Sequence, residues 1–199
     1  MTGCRALLEL LRQEGIDIIF GNPGTTELTL IDELAGDAGI RYVLGLMEAA
    51  VLAMADGHAQ ASGRPAFVNL HAAPGLGNAL GMLYNAQKAG SPILVTAGQQ
   101  DQSLALTEPA LWADLVRIAR PFVKWAAEVR SPAELPRALH RAVTTALAPP
   151  SGPVFLSLPA DVLHAEAEVE LGAPTRVARF VRADPKAIAG AVEVLAAAE

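Results

Sequence analysis

Apolar residues along this chain fall into two alternating rhythms. Short runs rich in Val, Ile, Phe and Leu predict strands near 17–20, 41–44, 66–70, 92–97, 122–125 and 154–158. Between them, apolar positions recur at three- and four-residue spacing and predict helices near 3–14, 26–35, 47–62, 76–89, 110–118 and 133–147. Strands and helices in such alternation build a parallel sheet with helices packed on both faces. The expected fold is therefore an α/β three-layer sandwich around a mostly parallel six-stranded sheet. Phe67–Leu70 and Ile93–Thr96 are apolar enough to be central strands buried on both sides. Gly15 and Gly63 follow helices, and Pro65, Pro92 and Pro153 open strands where a missing N–H is tolerated. The first helix places Cys4, Leu7, Leu8 and Leu11 on one side with Arg5, Arg12, Gln13 and Glu14 between them, a surface helix rather than a signal peptide.

The rhythm fades after residue 163. Residues 164–184 run through Glu166, Glu168 and Glu170, then Gly172 and Pro174, then Arg176, Arg179 and Arg182, and read as a linker. Asp184 followed by Pro185 is a helix start, with Ile188, Val192 and Leu195 on one face. Residues 1–163 thus form one domain, and 185–199 read as the first helix of a missing central domain. The length of 199 residues suits this division.

Composition narrows the partners. A net charge of −6 without a basic run disfavours nucleic acid and anionic membrane surfaces. No apolar stretch approaches the roughly 18 residues of a membrane span. Cys4 is alone and reads as a small buried apolar group. A cytoplasmic protein acting on small molecules is expected.

Three constellations could carry chemistry. The first, Gly21-Asn22-Pro23-Gly24-Thr25-Thr26-Glu27, lies between a strand and a helix. It is either a tight turn with Thr25 or Thr26 as N-cap, or a loop lining the crevice at the carboxyl end of a parallel sheet. The second is Glu48 in Leu46-Met47-Glu48-Ala49-Ala50. It is either an exposed residue favoured by a helix dipole or a carboxyl group in an apolar pocket, suited to proton exchange. The third runs from Asn69-Leu70-His71 to Gly81, with His71 at the end of a central strand. That histidine is either structural or projects where catalytic groups sit. Gly75-x-Gly77-x-x-x-Gly81 only loosely imitates a dinucleotide fingerprint, and Thr96-Ala97-Gly98-Gln99 stands where a ribose-binding acid belongs. His58, His140 and His164 show no metal-ligand spacing, and no metal-binding residue is expected in the chain.

Taken in order, Phe20-Gly21-Asn22-Pro23-Gly24, Leu46-Met47-Glu48-Ala49-Ala50, Ala55-Asp56-Gly57-His58-Ala59, Asn69-Leu70-His71 and Ser91-Pro92-Ile93-Leu94-Val95-Thr96-Ala97-Gly98-Gln99-Gln100 resemble the N-terminal, pyrimidine-binding domain of benzoylformate decarboxylase and its thiamine diphosphate-dependent relatives, the acetolactate synthases among them. The resemblance implies the thiamine diphosphate-binding fold. It also implies that Glu48 hydrogen-bonds the cofactor's aminopyrimidine so that the thiazolium can lose a proton and attack a 2-keto acid. Asn22, Pro23, Gly24 and Asn78 would border the cofactor, Thr25 and His71 the substrate, and His71 would exchange protons with the reacting molecule. His71 points to the decarboxylase side, because acetolactate synthases typically carry a small or polar residue there. Thr25 departs from the serine of benzoylformate decarboxylase, and residues 104–119 diverge. The family's Gly-Asp-Gly motif, which binds diphosphate through Mg²⁺, has no counterpart here. The chain would then be a half-site that needs a homo-oligomeric partner or a separate diphosphate-binding chain. The rival expectations are an acetolactate synthase-like carboligase, a non-catalytic binding or regulatory domain of the same fold, and a dinucleotide-binding domain, the last disfavoured by the missing acid. Self-association is expected through the apolar helices carrying Ala49, Ala50, Val51 and Met54 and carrying Leu76, Ala79, Leu80 and Leu83.

Overall fold

The computed structural model describes residues 1–36, 39–176, 178 and 182–198. Arg179 and Glu199, which enter the linker and final-helix readings above, lie outside the described residues. Six strands, β1 (Ile18–Gly21), β2 (Arg41–Leu44), β3 (Ala66–Leu70), β4 (Ile93–Gln99), β5 (Ala126–Glu128) and β6 (Val154–Pro159), form one sheet in the order β2-β1-β3-β4-β6-β5. Every neighbouring pair is parallel, so the expected "mostly parallel" sheet is parallel throughout. Each strand returns through a helix, since a tight hairpin cannot join parallel neighbours.

Alternation along the strands divides the core in two. Ile19, Phe67, Leu94, Val154, Leu156 and Leu158 face a layer made by α1 (Gly3–Gln13), α2 (Leu28–Ala35), α6 (Leu135–Leu147) and α7 (Ala160–His164). Phe20, Val68, Leu70, Val95 and Phe155 face the other layer, made by α3 (Glu48–Ser62), α4 (Ala72–Ala89) and α5 (Leu115–Ala119). β3 and β4 are buried at every residue. Each large side chain buried in this way contributes about 1.5–3 kcal/mol.

Four local expectations shift. Helix α4 begins at Ala72 rather than 76, because Pro74 falls in its first turn, where no N–H is needed. The helix expected over 110–118 is confined to Leu115–Ala119: Leu111 adopts φ 73°, and the Asp114 side chain caps the helix by accepting from the Arg117 N–H at 2.9 Å. The fifth strand, expected over 122–125, is found at Ala126–Glu128, because Arg120–Phe122 first makes a single 3-10 turn. α1 is more deeply buried than a surface helix, with Cys4, Leu7, Leu8, Leu10 and Leu11 wholly inaccessible.

Part of what covers α1 is the segment after α7, read above as a linker. It crosses the α1–α6 face as a strap. Gly3 N–H donates to the Ala165 carbonyl at 3.1 Å and Ala167 N–H to the Met1 carbonyl at 3.0 Å, while Val169 and Leu171 pack on the core. Beyond it, α8 (Pro185–Ala196) is exposed along its length. Among the described residues no helix is long and apolar enough to cross a membrane.

Burial, helped by the nearby Glu33 carboxylate, pushes the Cys4 thiol up to about 12. The thiolate is the reactive form. Iodoacetamide at mildly alkaline pH should therefore leave Cys4 unmodified in the folded chain and alkylate it once urea unfolds the protein. Labelling of the folded chain at the rate of a free thiol, followed by mass spectrometry, would contradict this burial.

Candidate active site

The strand order reverses between β1 and β3: from β1 the chain moves outward to β2, then crosses back to β3 on the other side. At such a switch point the loops leaving the two central strands diverge and open a crevice at their carboxyl ends. The loop after β1 carries residues 22–27, β3 ends next to His71, and α3 begins with Glu48. Two of the three constellations thus flank the switch point directly, and the third reaches it from β2.

Glu48 is buried, 7% exposed, at the first position of α3. Its two oxygens are held from opposite sides. Asn22 Nδ2 donates to Oε1 at 3.1 Å, and Asn78 Nδ2, from α4, donates to Oε2 at 3.1 Å. Gly75 faces Oε1, and a Cβ there would lie 3.3 Å from it. The structure thereby decides for the pocket over the solvent-facing alternative. A carboxylate offers roughly four acceptor sites. Two amide donors leave Glu48 with capacity for a ligand.

His71 is half-buried, and its Nδ1 lies 2.9 Å from Glu27 Oε2 and 3.3 Å from Thr26 Oγ1. Glu27, only 1% exposed, is the residue that sequence reasoning missed. Its Oε2 also accepts from the Gly24 N–H at 2.9 Å, while Oε1 accepts from Thr26 Oγ1 at 2.6 Å and from the Gly98 N–H at 3.0 Å. With four donors on four sites, Glu27 is saturated by its own chain and is fit to orient rather than to bind. It fixes the proton of His71 on Nδ1. Nε2 has no partner among the described residues and is available to a bound molecule. Glu27 also explains the cap of the turn at Thr25–Glu27: neither threonine is the N-cap, because Glu27 reaches back to the Gly24 N–H itself. Its negative charge is the second cause, after burial, that raises the neighbouring Tyr42 phenol above its ordinary range.

The remaining expected residues divide. Pro23 and Gly24 line the half-buried loop, and a methyl group on Gly24 would fall on the His71 ring. Thr25 is exposed, one residue away from the inward-facing Thr26. Ala72, directly after His71, takes φ 47°, and its neighbour Ala73 donates to the Leu111 carbonyl at 3.4 Å. Left-handed backbone at a non-glycine residue concentrates at functional sites, and here it turns β3 into α4 around His71. Asp56 plays no part in the crevice: it is buried in α3 on Ser91 and on Gln60 Nε2, the latter at 2.9 Å. Among the described residues no group of three or more His, Cys, Asp or Glu could hold a metal ion.

Fold and site together define an α/β domain with a buried, partly unsatisfied carboxylate beside a carboxylate-backed histidine. The profile of the thiamine pyrophosphate enzyme, N-terminal TPP binding domain, matches residues 1–115, and the chain belongs to this family. It is 49% identical over 157 residues to a benzoylformate decarboxylase of Pseudomonas aeruginosa, covering 78% of this chain and 29% of that protein. It is 33% identical over 165 residues to the mitochondrial acetolactate synthase catalytic subunit of Saccharomyces cerevisiae, covering 83% of this chain and 24% of that one. The benzoylformate decarboxylase structure from Polynucleobacter necessarius superposes with a TM-score of 0.89 at 37% identity, over 100% of this chain and 37% of the other. The thiamine diphosphate-dependent 4-hydroxybenzoylformate decarboxylase of Rhodococcus jostii RHA1 gives 0.88 at 40% identity, over 98% and 37%. The chain spans between 24% and 37% of the length of these relatives.

Two glycine substitutions separate the site's packing from ordinary helix effects. Gly98→Ala would drive a methyl into Glu27 and Thr26, and should destabilise by roughly 1–3 kcal/mol. Gly77→Ala, on the open face of α4 with nothing within 4 Å, should stabilise by about 0.5–1 kcal/mol. Urea midpoints at unchanged slope measure both; equal midpoints would show that the Glu27 network is not tightly packed.

Proposed function

We propose that this chain is the aminopyrimidine-binding half of a thiamine diphosphate-dependent 2-keto acid decarboxylase of the benzoylformate decarboxylase type. The observation that carries the reading is the Glu48 carboxylate, buried at the switch point and held by Asn22 and Asn78 with acceptor capacity to spare. The donor set fits a flat, nitrogen-bearing ring: a carboxylate to share a proton with a ring nitrogen, and glycines at 24 and 75 where side chains would intrude. When bound, thiamine diphosphate supplies a thiazolium carbon nucleophile and the electron sink that decarboxylation requires.

The chain's own residues divide the remaining work. Glu48 holds a proton against the ring nitrogen, with Asn22 and Asn78 keeping the carboxylate in place. Asn22, Pro23 and Gly24 would border the bound ring. His71, oriented through Nδ1 by Glu27, presents Nε2 to the substrate as proton donor and acceptor. A histidine in this role favours the decarboxylase over the acetolactate synthase-like carboligase. Thr25 borders the substrate from the exposed rim. Mg²⁺ and the diphosphate are held by a separate domain or chain, and the protein works as a cytoplasmic homo-oligomer. Exposed Leu44, Leu46 and Met47 before α3, and Tyr84 on α4, supply an apolar surface for that partner.

A chimera in which this chain replaces the matching stretch of the Pseudomonas aeruginosa relative tests the proposal. It should release carbon dioxide from benzoylformate or an aliphatic 2-keto acid, and Glu48→Gln should lower kcat about 10²–10⁴-fold, the usual range for losing acid–base assistance. The isolated chain should show no turnover. Full activity of the Glu48→Gln chimera, or turnover by the isolated chain, would overturn the assignment.

A further inference from the structure

On the sheet face away from the crevice, a second buried carboxylate is tied to a histidine. Glu14, which follows α1, has a fully buried side chain. Its Oε1 lies 2.6 Å from His140 Nδ1 on α6, and its Oε2 accepts from Arg176 Nη1 on the strap at 2.6 Å. The other ring nitrogen, His140 Nε2, lies 3.0 Å from the Leu171 carbonyl, also on the strap. A carboxylate paired with arginine and a backbone carbonyl are both acceptors only, and a neutral imidazole carries a single N–H. The two contacts coexist only when the ring carries two protons.

We propose that His140 is a proton-operated latch that fastens residues 168–176 to the α1–α6 face. With both nitrogens protonated, the ring bridges the floor of the domain at Glu14 to the strap at Leu171. Raising the pH removes one proton and with it one of the two bonds, so the strap loosens as pH rises and closes as it falls. The cleft under the strap, about 540 Å³, is lined by His140, Thr144 and Leu171. The charged groups facing the latch are Glu14 from α1, Arg176 and Glu170 from the strap, and Arg137 and Arg141 from α6, with Arg64 bordering Glu14 on its far side. Arg141 is turned onto the Trp125 ring, 4.6 Å from its centroid. None of the arginines loses its charge in the range where an imidazole titrates.

The other fastenings bound the motion. Thr144 Oγ1 donates to the Thr175 carbonyl at 3.0 Å and Arg176 stays paired with Glu14, and neither bond depends on the imidazole proton. The Met1 ammonium donates to the Ala167 carbonyl at 2.9 Å and keeps N–H donors when neutral, so the near end stays tied.

Trypsin cleavage after Arg176, identified by mass spectrometry and normalised at each pH to an unstructured reporter peptide, reads the latch in the 199-residue chain. As the ring passes from two protons to one with rising pH, the normalised rate should rise about tenfold or more, the effect of losing a hydrogen bond from a charged group. His140→Gln should cleave at the fast rate throughout, with no pH response. Thr144→Val should cleave faster at every pH yet keep the response, which separates the titrating bond from general loosening. If His140→Gln fails to fold, a long-range nitrogen–proton spectrum of the parent protein decides: two protonated ring nitrogens on His140 at low pH are expected. A pH-independent normalised rate in the parent, a retained response in His140→Gln, or a singly protonated His140 at low pH would each overturn the proposal.

Discussion

An ionised carboxylate inside a protein must be answered by donors, and the answer to Glu27 organises the crevice. Its four partners come from three places in the chain: Gly24 and Thr26 after β1, His71 after β3, and the Gly98 N–H within β4. Removing any one would leave a buried acceptor site unfilled, a penalty of about 1–3 kcal/mol. The loops are therefore bound to one another through a single side chain. The parallel order of β1, β3 and β4 brings the three strand ends side by side.

That arrangement gives two nearby glutamates opposite characters. Glu27 spends all its acceptor sites on its own chain, and its effect is exerted through the orientation of His71. Glu48 has two amide donors and an open side facing Gly75. The difference lies in the donors and the room around each group rather than in residue type. Exchange of a proton with a ligand belongs to the carboxylate whose acceptor sites are not already filled, and orientation to the one whose sites are.

This division also sets what could be read from the chain alone. The strand and helix rhythm, the central buried strands and the positions of Asn22, Glu48 and His71 at loop ends follow from periodicity and punctuation, which act locally. Glu27 was invisible to such reading because a glutamate three residues after a glycine at a helix start is ordinarily a solvent-facing capping residue. Two of its donors come from far along the chain, the His71 ring 44 positions away and the Gly98 N–H 71 positions away. The same holds for Glu14, which looks like a polar residue at the end of a surface helix until α6 and the strap close over it. The loop at 101–114 resisted reading for another reason. Its course depends on left-handed residues at Glu108 and Leu111, neither of them a glycine, and on Gln99, Gln100 and Gln102 bonding to distant carbonyl and carboxylate oxygens.

Folding and chemistry draw on different parts of the molecule. Both apolar layers close around the sheet without the polar groups of the crevice, Asn22, Glu27, Glu48 and His71. The crevice, by contrast, offers two acidic groups and one histidine. No Lys or Arg is among the polar partners described for Glu27, Glu48 or His71. A phosphorylated cofactor bound there would gain hydrogen bonds at its ring but no charge pairing from these residues for its phosphates, where charge-assisted bonds contribute most. On the proposed reading Glu48 would orient the ring and another surface would anchor the charged end, which would give the exposed apolar residues Leu44, Leu46 and Met47 a part in function beside the carboxylate.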